Sequence, residues 1–186
     1  LNVTPLSMAE SYATFANRGV HCAPIILSSI KTEDGADVAV PSANCQQVID
    51  QNTADGVNSV LKSVLQNGGT GAAERLAGNY DQAGKTGTAG STETESAVWF
   101  NAYTPDLEGV AMISVDSGDD YWEGRSKTLT GLRLANGSYL SGNSTTESGS
   151  IWKSMMTAEI ANVTNPSSFA GYSPKNSNQS DLYTGR

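Results

Sequence analysis

The chain has 186 residues, of which 38% are apolar and 16% charged, with a formal charge of −8. That length makes one domain, or part of a larger one, with a modest and loop-rich core, and the acidic balance argues against a nucleic-acid partner, because phosphates are met by Lys and Arg. No apolar run reaches membrane-spanning length and no signal peptide is visible, while the start at Leu1 rather than Met, directly before a predicted helix, is expected of a mature or excised segment.

Pro5 to Gly19 is predicted as a helix. Leu6, Ala9, Tyr12, Ala13 and Ala16 recur at three- and four-residue spacings. Thr4 is the expected cap, Pro5 the first helical residue and Gly19 the stop. Ile25 to Lys31 is apolar and β-branched and reads as a strand, turning at Asp34-Gly35 and continuing into Val38–Val40 as a hairpin. Pro41 to Asp50 is a connection. Thr53 to Gln66 is a second predicted helix, capped by Thr53, with Val57, Val60, Leu61 and Leu65 inward and Asn67-Gly68-Gly69 as terminator. Thr70 to Leu76 is a short helix, and Gly78 to Gly84 a flexible approach to Lys85.

Gly90 to Glu95 is a polar loop. Ala97 to Thr104 is the strongest strand, with Val98, Phe100, Ala102 and Thr104 alternating with Trp99, Asn101 and Tyr103. Pro105-Asp106 turns the chain into a second strand, Gly109 to Val115. Its two faces are both nearly apolar, so it is predicted as a central strand, antiparallel to its predecessor across the short turn. Asp116 to Ser148 reads as an irregular surface excursion. Ser150 to Ala161 is the last helix, with Ile151, Met155, Ala158 and Trp152 inward and Ser150 as its cap. Beyond Asn162 a polar, low-complexity tail is expected to act as a tether. Trp99, Phe100, Tyr103 and Trp152 are assigned to the core between sheet and final helix.

Cys22 and Cys45 bracket residues 23–44. With His21 alone beside them they make no four-ligand zinc site. The preferred reading is a disulfide closing that loop, which places the domain outside a reducing cytosol; two free thiols are the alternative. No cofactor or metal is called for. Asp116, Asp119 and Asp120 lack the spacing of a calcium loop, and His21 has no partner acid at an informative spacing.

The run Lys85-Thr86-Gly87-Thr88-Ala89 carries most chemical information. It offers one cation, two hydroxyls and a backbone with little side-chain cover. On an edge strand beside Ala97–Thr104, alternation puts Lys85, Gly87 and Ala89 on one face and Thr86 and Thr88 on the other. Gly87 lets a ligand approach the main chain. The Thr88 N–H is then a candidate oxyanion donor, the two hydroxyls candidate carboxylate ligands, and Lys85 a source of positive potential. A plain Thr-Gly bend with Lys85 in water is the bland alternative. The run contains no nucleophile. Of the three Ser-x-x-Lys pairs, Ser28/Lys31 falls on a strand with its side chains on opposite faces. Ser59/Lys62 reads as a solvated helix face, and in Ser150/Lys153 the serine reads as a cap.

The motif and its neighbours resemble the C-terminal half of the transpeptidase domain of a class A, bifunctional penicillin-binding protein. The resemblance runs in order through Pro5-Leu6-Ser7-Met8-Ala9 and Tyr12–Gly19, then Leu65–Ala73. It continues through Gly84-Lys85-Thr86-Gly87-Thr88-Ala89, Trp99–Pro105 and Ile151-Trp152-Lys153. The Cys22/Cys45 arrangement is most similar to actinobacterial members. The resemblance implies an α/β fold of the α+β type, an antiparallel sheet flanked by helices, as a partial penicillin-binding transpeptidase or serine β-lactamase-like fold. Residues 1–161 would be the C-terminal part of the domain and 162–186 the tail. It implies a serine-type D-alanyl-D-alanine transpeptidase acting on peptidoglycan stem peptides and acylated by β-lactams, on the extracytoplasmic face of a membrane to which the full-length protein is anchored. Carried over, Lys85 and Thr88 are catalytic, and Thr86, Gly87 and Thr88 bind substrate. The serine-lysine helix and the serine-x-asparagine loop would precede residue 1, so the chain alone is expected to be inactive and to need the missing N-terminal half as partner. A non-catalytic peptidoglycan-binding scaffold and a serine β-lactamase relative are the alternatives.

Overall fold

The structure is a computed structural model that describes residues 3–90 and 94–174. Helix α1, Pro5–Ala16, begins with a reciprocal cap: the Ser7 N–H donates to Thr4 Oγ1 and the Thr4 N–H to Ser7 Oγ, both at 3.1 Å. It ends three residues before Gly19, whose φ of 85° lets the chain reverse where a Cβ would collide with the Ile49 carbonyl. Leu6, on the expected apolar face of the helix, is 57% exposed.

The segment between the cysteines is closed by a Cys22–Cys45 disulfide. The strand expected over 25–31 shrinks to β2, Ile30–Lys31, paired with β3, Asp37–Val38, and Ile25, Ile26 and Leu27 face solvent. Among the described residues no further strand pairs with this hairpin, so their apolar character does not extend the strand. The two-residue strands β1, Val20–His21, and β4, Gln46–Gln47, pair across the mouth of the loop. They are too short and too polar for a sequence pattern to reveal.

Helix α2, Gln51–Lys62, is capped by Asp50, which accepts from the Thr53 N–H at 3.1 Å, and not by Thr53. Its buried residues are Ala54, Asp55 and Asn58, while Val60 is exposed. The expected apolar stripe is displaced by a polar network. Arg18 grips Asp55 with two hydrogen bonds of 3.1 and 2.8 Å. Asn58 donates to the Phe15 carbonyl at 2.8 Å and accepts from the Tyr103 hydroxyl at 2.6 Å. A 3-10 turn, Ser63–Leu65, brings Leu65 into the core, and the short helix expected at 70–76 is a 3-10 turn at Ala72–Glu74.

The main sheet is antiparallel, in the order β5 (Ala83–Ala89), β6 (Ala97–Tyr103), β7 (Glu108–Ser114). Among the described residues the central strand is therefore β6, and β7, expected at the centre, has no second strand beside it. Its apolar faces are explained by helices on both sides: α1 covers one and α3, Ser150–Ile160, the other. Burial on two faces reports what lies above and below a strand, not what lies beside it. Phe100, Ala102, Ala111, Leu65 and Leu76 pack with Trp152 and Met156 of α3, and the Trp152 indole N–H donates to the Ala102 carbonyl at 2.7 Å. The buried face of α3 is Trp152, Met156 and Ile160; Met155 is partly exposed but its Cε reaches β7 at Gly109, whereas Ile151 and Ala158 are exposed. Ser150 is no cap; its hydroxyl donates to the Glu147 carbonyl at 2.9 Å as a wide turn, Thr145–Gly149, runs straight into the helix.

Residues 116–148 are more than a surface excursion. Leu129 and Leu140 form a second core with Val98, bordered by Ile113, Val115 and Leu132. Beyond Asn162 the described part of the tail lies against the domain instead of hanging free. Ser167 donates its N–H and hydroxyl to Asp106 at 2.8 and 2.6 Å, the Phe169 N–H donates to Asp81 at 3.0 Å, and the Phe169 ring meets Tyr103 edge-on. Residues 175–186, and 91–93 of the polar loop, lie outside the described residues. Among the described residues no helix is long and apolar enough to cross a membrane.

Candidate active site

The lysine-threonine-glycine run lies on β5, an edge strand of the sheet among the described residues. The register sets Lys85 opposite Asn101, Thr86 opposite Phe100, Gly87 opposite Trp99 and Thr88 opposite Val98. Alternation puts Lys85, Gly87, Trp99 and Asn101 on the α1 side of the sheet and Thr86 and Thr88 on the other. Beside the strand is an open cleft of about 260 Å³, floored by Trp99 and Asn101, walled by Val3, Met8 and Tyr12, and rimmed by the edge strand itself, Thr86 and Thr88 included. The main chain around Gly87 borders this cleft and is not sealed beneath side chains.

Lys85 is exposed, and its ammonium donates to the Thr86 carbonyl at 2.7 Å. The Thr86 hydroxyl, half-buried, lies 3.1 Å from the Thr70 hydroxyl. Thr88 is exposed. The site thus joins a cation, polar hydroxyls and accessible main chain on one strand. That set can hold a carboxylate and polarise a carbonyl, and the run itself supplies no nucleophile.

Two groups on the α1 side of the sheet are buried without a hydrogen-bond partner among the described residues. Asn101 is 4% exposed and its Oδ1 has no donor. Both carboxyl oxygens of Glu108 are in the same state. Burial pushes the Glu108 carboxyl up to about 9, an effect that the nearby Gly109 N–H offsets little. Burial, and secondly the Glu108 charge, raise Tyr12 and Tyr103 as well. These groups were not singled out from the sequence. An asparagine midway along an apolar strand was the available signal for Asn101. For Thr70 it was the one interruption of the run Gly68-Gly69-Thr70-Gly71.

The remaining sequence candidates do not assemble into a nucleophile. Lys31 pairs with Asp37 at 2.9 Å, and Ser28 lies outside the short strand. Lys62 is held by Asp81 at 2.7 Å, and Ser59 is exposed. Lys153 donates to the Ala73 carbonyl at 2.8 Å, away from Ser150. His21 does have an acid partner, since Glu10 Oε2 lies 3.5 Å from its Nε2 across the helix end. Asp116 and Asp119 accept from the N–H groups of Gly118 and Tyr121 within their own loop. No cluster able to hold a metal occurs among the described residues.

Comparison with known proteins bears on the family and the fold. The family described as "Penicillin binding protein transpeptidase domain" matches residues 1–131. Penicillin-binding protein 1F of Bacillus subtilis is 32% identical over 122 residues, 63% of this chain and 16% of its own length. Penicillin-binding protein 2a of Streptococcus pneumoniae is 36% identical over 110 residues, 58% of this chain and 15% of its own. The solved structure of PonA1 from Mycobacterium tuberculosis in complex with penicillin V superposes with a TM-score of 0.66 at 25% identity, covering 92% of this chain and 44% of that one. A second PonA1 structure gives a TM-score of 0.69 at 24% identity, which speaks to the fold alone. The chain thus spans about a sixth of the length of these curated relatives and under half of the solved chains.

Proposed function

The chain belongs to the penicillin binding protein transpeptidase domain family, and from that premise we propose that it is the C-terminal part of a class A, actinobacterial-type D-alanyl-D-alanine transpeptidase domain. In this reading residues 1–161 supply one wall of the active site and 162–186 form a C-terminal extension. The N-terminal half, bearing the serine nucleophile, closes the cleft from the α1 side. The protein works on the extracytoplasmic face of the membrane, with its anchor outside this chain.

In the reaction the serine hydroxyl adds to the carbonyl of the penultimate D-Ala of a peptidoglycan stem peptide, giving its proton to a base in the assembled site. The Thr88 N–H and the serine's own N–H hold the oxyanion. The C–N bond breaks, the proton passes to the departing nitrogen, and D-Ala leaves. An amine of a neighbouring stem peptide then attacks the ester, forming the cross-link and returning the serine. Thr86 and Thr88 hold the terminal carboxylate, and Lys85 supports the proton network and supplies positive potential. A β-lactam enters the first step and stalls before the second.

The observation that carries this reading is the motif strand at a sheet edge, with bare main chain at Gly87 bordering an open cleft. The test is to combine this chain with the missing N-terminal half and look for a covalent penicillin adduct by intact-mass analysis. An adduct on the serine of the N-terminal half, dependent on both pieces, is expected. Native-like association with no adduct overturns the catalytic reading and leaves a scaffold.

A further inference from the structure

Gly68-Gly69-Thr70-Gly71 is a glycine run broken once, and the residue that breaks it touches the motif strand. Thr70 Oγ1 lies 3.1 Å from Thr86 Oγ1. The run is tightly seated. A Cβ on Gly69 would run into the carbonyls of Ser63 and Val64, and one on Gly71 would press on the Phe100 ring at 3.1 Å. The N–H groups of Gly69 and Gly71 donate to the carbonyls of Gln66 and Val64, both at 2.9 Å. From the other side, the Thr145 hydroxyl donates to the Thr70 carbonyl at 2.7 Å. Side chains are excluded at every position of the loop that packs, and the single side chain retained is aimed at the motif.

We propose that Thr70 is a positioning residue that fixes the direction of the Thr86 hydroxyl proton and thereby the preference of the site for a carboxylate. This rests on the reading of Thr86 as a carboxylate ligand. A hydroxyl has one proton and two accepting lone pairs, whereas a carboxylate only accepts. If Thr86 is to give its proton to a carboxylate, it has to receive in its contact with Thr70. The direction is then Thr70 to Thr86 to carboxylate, each bond polarising the next. Remove the Thr70 donor and the Thr86 hydroxyl is free to rotate onto water, so the site loses an oriented donor without losing a charge.

Two measurements test this. On the 186-residue chain alone, the deuterium isotope splitting of the threonine Cβ signals at low temperature reports which hydroxyl proton exchanges slowly. Slow exchange at Thr70, abolished in Thr86→Val, is expected. Slow exchange at Thr86 instead, or at neither, overturns the proposal. In the domain combined with its N-terminal half, acylation is compared for a penicillin with a free carboxylate and for its uncharged methyl ester. Thr70→Val lowers the carboxylate-to-ester rate ratio about fivefold to tenfold, the worth of one hydrogen bond, and Thr70→Ser restores it. An equal loss toward both ligands marks Thr70 as packing only and overturns the proposal. A parent domain that takes no penicillin sinks the transpeptidase reading, while the exchange measurement still decides the proton direction.

Discussion

The two faces of the three-stranded sheet are finished differently. On the α3 side, Phe100, Ala102 and Trp152 are fully buried and Met156 nearly so, the Trp152 indole N–H has its acceptor, and the one orphan among the described residues is Glu147 Oε2, in the turn leading into α3. On the α1 side, the buried Asn101 Oδ1 and both Glu108 oxygens have no donor among the described residues, and a cavity stands open beside the motif. An unmet buried acceptor costs about 1–3 kcal/mol. The closed face carries most of the apolar packing, and the open face, where the proposed chemistry lies, leaves three of its buried oxygens unmet. The proposed N-terminal half would bring donors to the unfinished face.

The largest effect is expected on the closed face. Trp152→Ala leaves a cavity between α3 and β6 and strands the Ala102 carbonyl, and lowers unfolding stability by about 3–5 kcal/mol in urea denaturation. A loss under about 1 kcal/mol, the size of a surface substitution, would mean that this face is not the structural anchor. The next effect belongs to the open face and is a pH dependence. The folded Glu108 carboxyl is held up at about 9, against an ordinary value of 4.5 in the unfolded chain. Between those values the unfolded chain has released the proton that the folded chain keeps, so the unfolded state binds fewer protons and stability falls as pH rises. It is fully present below the lower value and is lost through the upper one. The ceiling is roughly 1.4 kcal/mol per pH unit; allowing for water in the separate pocket that Glu108 lines with Glu10 and Thr14, the total is about 3 kcal/mol. Glu108→Gln flattens that slope in denaturation curves taken from pH 5 to 9. An identical slope in parent and variant assigns it to other groups.

The same contrast explains what the sequence disclosed. Period-two alternation revealed β6 and β7, and the Thr4-Pro5 start of α1 was readable because a cap and its helix are neighbours in the chain. The edge position of Lys85–Ala89 beside Ala97–Thr104 was a supposition rather than a derivation, and β5 does pair with β6 alone among the described residues. What escaped depended on distant partners. The inward Asp55 and Asn58 make sense only once Arg18, Phe15 and Tyr103 are beside them. On α3 the expected Trp152 and Met155 do meet the sheet, but Met156 and Ile160 are buried in place of Ile151 and Ala158 around the Trp152–Ala102 hydrogen bond. Apolar residues on both sides of β7 could not distinguish helices above and below from strands on either hand. Asn101 and Glu108 carried no motif, and their burial shows only in three dimensions.

Loop anchoring gives a middle-sized effect that sharpens the comparison, because it belongs to neither face. The disulfide joins residues 23 apart in sequence and, on the loop-entropy estimate, contributes about 3 kcal/mol. Replacing both cysteines with serine should lower stability by up to that amount. Hydrogen-exchange protection should fall over residues 20–47 and hold at β6. Loss of protection at Phe100 as strongly as at Val20 would show that the staple supports the sheet itself.

The smallest stability effect is expected at the residue to which the proposed function assigns the proton network. Lys85 is exposed and its ammonium reaches only the neighbouring Thr86 carbonyl, so Lys85→Ala should change unfolding stability by less than about 0.5 kcal/mol, as substitutions at exposed positions do. In the domain combined with its N-terminal half, the same variant should lose penicillin acylation by about a hundredfold or more, as removal of a positioned charge or proton-transfer group does. The pairing of the two numbers is the point. A residue that contributes to folding loses function in step with stability, whereas Lys85 should separate them completely. If Lys85→Ala destabilised the chain as Trp152→Ala does, the motif would be part of the framework, and the division of labour between the two faces would fail where it matters most.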